Sequence, residues 1–108
     1  MNRGSALKWA TAIRDENIPF NDGVGLRYED GSMCLIGVLE DIITGKWKQN
    51  PLGWYETEDG SSFGISQHTK TRCKIKTNLD EAVYVFVDHR TKGREYLAEW
   101  IEQNYERL

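Results

Sequence analysis

The 108-residue chain has only two cysteines, Cys34 and Cys73, and only two prolines. Two cysteines allow one disulfide at most, which excludes a disulfide-stapled miniprotein. Their separation fits no CxxC pattern, and the two histidines, His68 and His89, add no zinc-ligand spacing, so neither a metal site nor a cofactor is expected. A disulfide is allowed but not required, and two buried thiols are the expectation for a cytosolic chain. No run approaches the roughly 18 apolar residues of a membrane span, so no membrane partner is expected. Internal repeats and low-complexity tracts are absent. There is no phosphate-binding glycine loop either, because Gly23-Val24-Gly25 lacks the strand-to-helix context. These absences exclude a multidomain enzyme, a transporter and a collagen.

What is present suits one folded domain spanning 1–108. Hydrophobic residues make up 39% and charged residues 29%, enough for one modest core. Met1-Asn2-Arg3-Gly4-Ser5 runs into an amphipathic pattern rather than a secretory leader, so a cytoplasmic location is expected. Ser5 reads as the cap of a first helix over about 5–17, with Leu7, Ala10 and Ile13 as an apolar stripe beside Ala6 and Trp9. Leu26-Arg27-Tyr28 reads as a short strand ending at the Asp30-Gly31 turn. Ser32 would cap a second helix over 33–44, in which Leu35, Val38, Leu39, Ile42 and Ile43 share a face, Glu40 and Asp41 lie opposite, and Gly45 ends the helix. Gly37 costs about 1 kcal/mol inside a helix, which close helix packing would explain. Asp59-Gly60 would join strands 54–58 and 61–66. Leu97, Trp100, Ile101, Asn104, Tyr105 and Leu108 mark a last helix over 93–107, with Glu95, Glu99, Glu102 and Glu106 on its solvated side. The expected fold class is α+β: about three helices on a small, mainly antiparallel sheet drawn from residues 54–87.

The net charge of −3 hides a strong asymmetry. Residues 67–94 carry seven Lys/Arg against three Asp/Glu, while the flanking segments are acidic. Within 67–77, His68, Lys70, Arg72, Lys74 and Lys76 alternate with Thr69, Thr71, Cys73, Ile75 and Thr77. On a strand, such alternation puts all five basic side chains on one face. That cationic row would meet a phosphate, a nucleic acid or an acidic protein surface, or else serve as a solvated edge that blocks sheet aggregation. Val83, Val85 and Val87 favour a buried partner strand over 82–87, in competition with a helix capped by Asn78. A second anion-facing candidate is the link before the last helix, where Arg90, Lys92 and Arg94 crowd a helix N-terminus that favours negative charge. Trp47, Trp54 and Tyr55 are candidate aromatic contacts that either stack on a ligand or close a small core under a loop. A weaker catalytic candidate combines Cys34, at a helix start that lowers a thiol pKa, with His68 or His89 and Asp88.

The segments Trp9-Ala10-Thr11-Ala12-Ile13, Cys34-Leu35-Ile36-Gly37-Val38-Leu39-Glu40-Asp41 and Gly45-Lys46-Trp47, with Asp88, Gly93, Tyr96, Leu97-Ala98 and Ile101-Glu102 near the end, resemble small, mostly uncharacterised proteins of tailed bacteriophages. The likeness covers both ends of the chain but not the basic segment between them. Of that family's cysteines only Cys34 is retained, Leu35 and Glu40 standing at the others, and Val87 replaces a usual Asn. The resemblance brings no activity. It implies an accessory protein of the host-cell cytoplasm that acts by binding. The expected function is therefore an anti-defence type of inhibitor that blocks or sequesters a bacterial host component through a basic surface. Its partner would be a host protein or an anionic ligand such as a nucleotide or nucleic acid. The alternatives are a small hydrolase or nucleotide-processing enzyme built on Cys34, and a virion structural or assembly protein. Oligomeric state stays open, a homodimer included.

Overall fold

The computed structural model describes residues 1–21, 25–79, 81 and 93–108. The first helix, α1 (Arg3–Arg14), starts earlier than Ser5 because Asn2 is the cap: its Oδ1 accepts the Ser5 N–H at 2.9 Å. It also stops three residues short of 17. Asp15 turns its carboxylate onto the Asn17 N–H, and the Ile18 N–H closes a turn on the Asp15 carbonyl. Ala6, Trp9, Ala10 and Ile13 form the buried face, but Leu7, expected in the same stripe, is 37% exposed because it lies away from the centre of that face.

Met33 joins two separate segments by isolated bridges, one to Phe20 and one to Arg27, so the strand expected at 26–28 is reduced to a single bridge position. Ser32 is not the cap of the second helix. Its N–H and hydroxyl both donate to Asp30, and α2 (Leu35–Ile43) is capped instead by Cys34, whose Sγ accepts the Gly37 N–H at 3.4 Å. Close packing accounts for Gly37, though against the 26–28 segment and not against another helix: a Cβ there would lie 1.9 Å from the Leu26 carbonyl oxygen. That same oxygen accepts the Cys34 N–H, and the Trp9 indole N–H donates to the Leu35 carbonyl at 2.9 Å. These contacts pin the first turn of α2 to α1 and to the 26–28 segment. Gly45 ends the helix with a φ of 60°.

The sheet is minimal. β1 (Lys48–Gln49) pairs antiparallel with β2 (Tyr55–Glu56), with Lys48 opposite Glu56 and Gln49 opposite Tyr55. The Asp59-Gly60 turn forms, with the Thr57 N–H on the Ser61 carbonyl, but no strand follows over 61–66. Hydroxyls take the backbone groups a ladder would use: Ser61 N–H donates to Thr57 Oγ1, and Gly64 N–H to Ser61 Oγ.

The largest correction concerns the basic segment. Gln67–Cys73 is a helix, α3, capped by Ser66 and ended by Lys74 in the left-handed region at φ 55°. Only Thr69 and Cys73 of this helix are buried. Leu79 and Glu81 are helical, and the Glu81 N–H donates to Asn78 Oδ1, as a helix capped by Asn78 requires. The strand expected over 82–87 lies outside the described residues. The last helix, α4 (Arg94–Asn104), continues into a 3₁₀ turn, Tyr105–Arg107. It buries Leu97, Ala98 and Ile101 against α1, with Trp100 half-buried. Arg14 clamps the pair from outside, donating to Glu95 at 2.9 Å and to Glu102 at 2.6 Å, which holds the Glu102 carboxyl below its ordinary range.

The described architecture is thus α+β in a reduced sense: four helices and one two-stranded antiparallel sheet, rather than about three helices on a small sheet drawn from 54–87. The core runs through Trp9, Ile13, Leu26, Leu39, Leu97, Ile101 and Leu108. Among the described residues no helix is long and apolar enough to cross a membrane.

Candidate functional site: a basic helix end and a stacked arginine

A helix advances 100° per residue, so Lys70 and Arg72 point about 160° apart rather than side by side. The single cationic row therefore does not exist. What remains is a basic collar at the C-terminal end of α3 and just beyond it. Lys70, Arg72, Lys74 and Lys76 are all exposed, and none lies within 4 Å of a carboxylate among the described residues. Lys70 and Arg72 occupy the last turn, where cations complement the helix dipole. Lys70 also borders a cleft of about 400 Å³ with Gly64, Ile65, Thr77, Asn78 and Leu79. His68 belongs elsewhere: its Nδ1 lies 3.2 Å from Glu58, a carboxylate that Lys46 also approaches to 3.9 Å.

Of the second anion-facing candidate only Arg94 is described. Asp88, His89, Arg90 and Lys92 lie outside the described residues. Arg94 is described, and its guanidinium is committed inward. It donates to the carbonyls of Asp15 and Ile18, both at 2.6 Å, and covers the Phe20 ring at 5.4 Å. Arg94 therefore ties the start of α4 to the chain leaving α1, where it consumes carbonyls at a helix end.

The cysteines are not joined to each other. Both are buried and neither forms a disulfide. Cys34 is 3% exposed and spends its sulfur on capping α2, while His68 stands 47% exposed on Glu58. Burial pushes the Cys73 thiol above its ordinary pKa, against a smaller opposing effect from a Ser5 hydrogen bond. Among the described residues no group of three or more His, Cys, Asp or Glu is arranged to hold a metal ion.

Two features have no counterpart in the sequence reading. Glu40, expected on the solvated side of α2, is 1% exposed. Its Oε1 accepts the Ser66 N–H at 2.6 Å, and its Oε2 accepts the hydroxyls of Ser66, Thr69 and Thr44 at 2.9, 2.8 and 2.7 Å. This one carboxylate holds the start of α3 against α2, so it sets where the basic collar sits. The second feature is Arg27. Its guanidinium stacks on the Tyr55 ring at 4.5 Å and faces the Trp47 ring at 5.7 Å. Trp47 is half-buried with its indole N–H on Asp41 at 2.8 Å, and Tyr55 is half-buried, so both are structural walls around Arg27. Trp54 differs: it is 40% exposed and packs on Tyr28, with ring centroids 5.9 Å apart. A spacing rule for helix or strand faces could not have found Arg27, because its partners come from three separate segments.

Compared with family models, with curated proteins and with solved structures, the chain matches none.

Proposed function

We propose that this protein is a phage-type accessory binding protein that blocks or sequesters a bacterial host or defence component by engaging an anionic group on it. The observation that supports this reading is the collar of Lys70, Arg72, Lys74 and Lys76. These are four exposed cations in seven residues, without carboxylate partners within 4 Å among the described residues, on a chain whose net charge is −3. Mutual repulsion among like charges this close in sequence is relieved by water or by a bound anion. The resemblance of both ends of the chain to small tailed-phage proteins supports the host-directed part of the reading.

The test is native mass spectrometry and pull-down from bacterial lysate with the triple variant Lys70→Gln, Arg72→Gln, Lys74→Gln. Neutral glutamine is chosen because reversed charges would also oppose the α3 dipole. The expected result is a partner or small anion retained by the natural protein, lost at least tenfold in the variant, while the circular dichroism spectrum is unchanged. Its apparent affinity should fall as salt rises, steeply and log-linearly if the target is nucleic acid. Equal retention by the variant overturns the proposal.

A further inference from the structure

Arg27 is held against two aromatic rings and finds no protein acceptor along its edge among the described residues. The rings of Tyr55 and Trp47 hold the plane of the guanidinium. Ring faces attract the cation but cannot accept the five N–H groups, which lie in the guanidinium plane. Asp41 approaches Nη1 only to 3.9 Å, beyond hydrogen-bond distance, and its near oxygen is occupied by the Trp47 indole. Among the described residues no acceptor takes any N–H of Arg27, and Nε is buried without a partner. The side chain nonetheless keeps 27% exposure. Of the guanidinium nitrogens without a protein acceptor only Nε is fully buried, so the end-on edge across Nη1 and Nη2 is reached by solvent.

A buried Nε without a partner is costly for a side chain that serves as a rivet alone. An oxyanion meets this geometry, with two of its oxygens placed end-on across Nη1 and Nη2 in the guanidinium plane. We propose that Arg27 is the anchor of an oxyanion-binding site that accepts a carboxylate or a phosphate group. Tyr55 and Trp47 position the guanidinium, and Asp41 positions Trp47. The site stands independently of the basic collar on α3.

The test is a titration of the ¹⁵N-labelled full chain with inorganic phosphate and, separately, with acetate. It follows the Arg27 side-chain resonances and the Trp47 indole N–H. The expected result is a saturable shift of both signals at concentrations below about 50 mM, an affinity in the range of a single exposed ion contact. Saturation by phosphate only, or by acetate only, identifies the source of the oxyanion. Arg27→Lys should weaken binding at least tenfold, because a point charge cannot reproduce the two parallel bonds. The proposal is overturned by shifts that stay linear with both anions, or by equal binding in Arg27→Lys. If that variant does not fold, the natural protein decides: saturable shifts confined to Arg27, Trp47 and Tyr55 support the site, and shifts centred on Lys70–Lys76 refute it.

Discussion

Removing the Glu40 carboxylate should destabilise the protein in a way that depends on which of its two oxygens is replaced. Oε1 has one donor, the Ser66 N–H, at 2.6 Å. Oε2 has three, all hydroxyls. Hydroxyls can turn, and two of these have other acceptors at hand: Thr44 Oγ1 lies 3.2 Å from the Glu40 carbonyl, and Ser66 Oγ lies 3.2 Å from Thr69 Oγ1. The Ser66 N–H cannot turn. Glu40→Gln keeps an oxygen for that amide and presents its NH₂ to hydroxyls that can rotate and accept, so it should cost about 1–2 kcal/mol. Glu40→Ala orphans the buried amide and leaves a cavity where α2 meets α3, for a loss of roughly 3–4 kcal/mol. Urea denaturation followed by circular dichroism measures both, and the Ala variant should melt roughly 10–20 °C lower. If Glu40→Ala costs under about 1 kcal/mol, or Gln costs as much as Ala, the carboxylate does not organise the start of α3 as the geometry implies.

Gly37→Ala should improve helix propensity by about 1 kcal/mol, yet the new Cβ would meet the Leu26 carbonyl oxygen. At 1.9 Å that contact forces the backbones apart, so the expected outcome is a net loss above about 3 kcal/mol or an insoluble product. A variant of natural or higher urea stability would refute the close approach. The Cys73 thiol predicts an alkaline effect. Its pKa is raised in the folded state, chiefly by burial, so the protonated form is favoured there and its contribution is fully present below the ordinary value near 9. As pH rises through that value, stability should fall with a slope of at most about 1.4 kcal/mol per pH unit. Cys73→Ala should lack this component when the two stability–pH profiles are subtracted, and parallel profiles would refute it.

Where burial is apolar, the sequence reveals its structure directly. Trp9 with Ala6, Ala10 and Ile13, Leu35 with Val38 and Leu39, and Leu97 with Ile101 lie inward, while Leu7 of the first stripe is exposed and Ile42 and Ile43 of the second are half-buried. The misplaced boundaries are polar. Asn2, Asp15, Asp30 and Ser61 each bind a nearby backbone group, and such local bonds move a helix or strand end by several residues without leaving a hydropathy signal. Glu40 was illegible for a related reason. It follows Ile36 by four residues and so shares its face, but that face packs against hydroxyls and an amide rather than against hydrocarbon. Arg27 was illegible because its environment exists only once the segments around 27, 47 and 55 have met.

The misreading of 67–77 has a geometric cause that also bears on function. A separation of four residues is two repeats of a strand and close to one turn of a helix, so Thr69 and Cys73 face inward under either assignment. The alternation of cations with Thr and Cys is therefore consistent with both periods over a stretch this short. Thr71 is the position that separates them, since a strand would turn it inward with its neighbours and a helix turns it out; it is exposed. Ser66, three residues before Thr69, carries the other half of the signal, as a cap whose hydroxyl accepts the Thr69 N–H at 3.2 Å. The consequence falls on the basic residues. His68 and Arg72 share one flank of α3 and Lys70 takes another, so a flat anionic surface cannot reach all of them at once. If the proposed partner engages these residues, it does so from the C-terminal end of α3, where Lys70 and Arg72 occupy the last turn and Lys74 caps it.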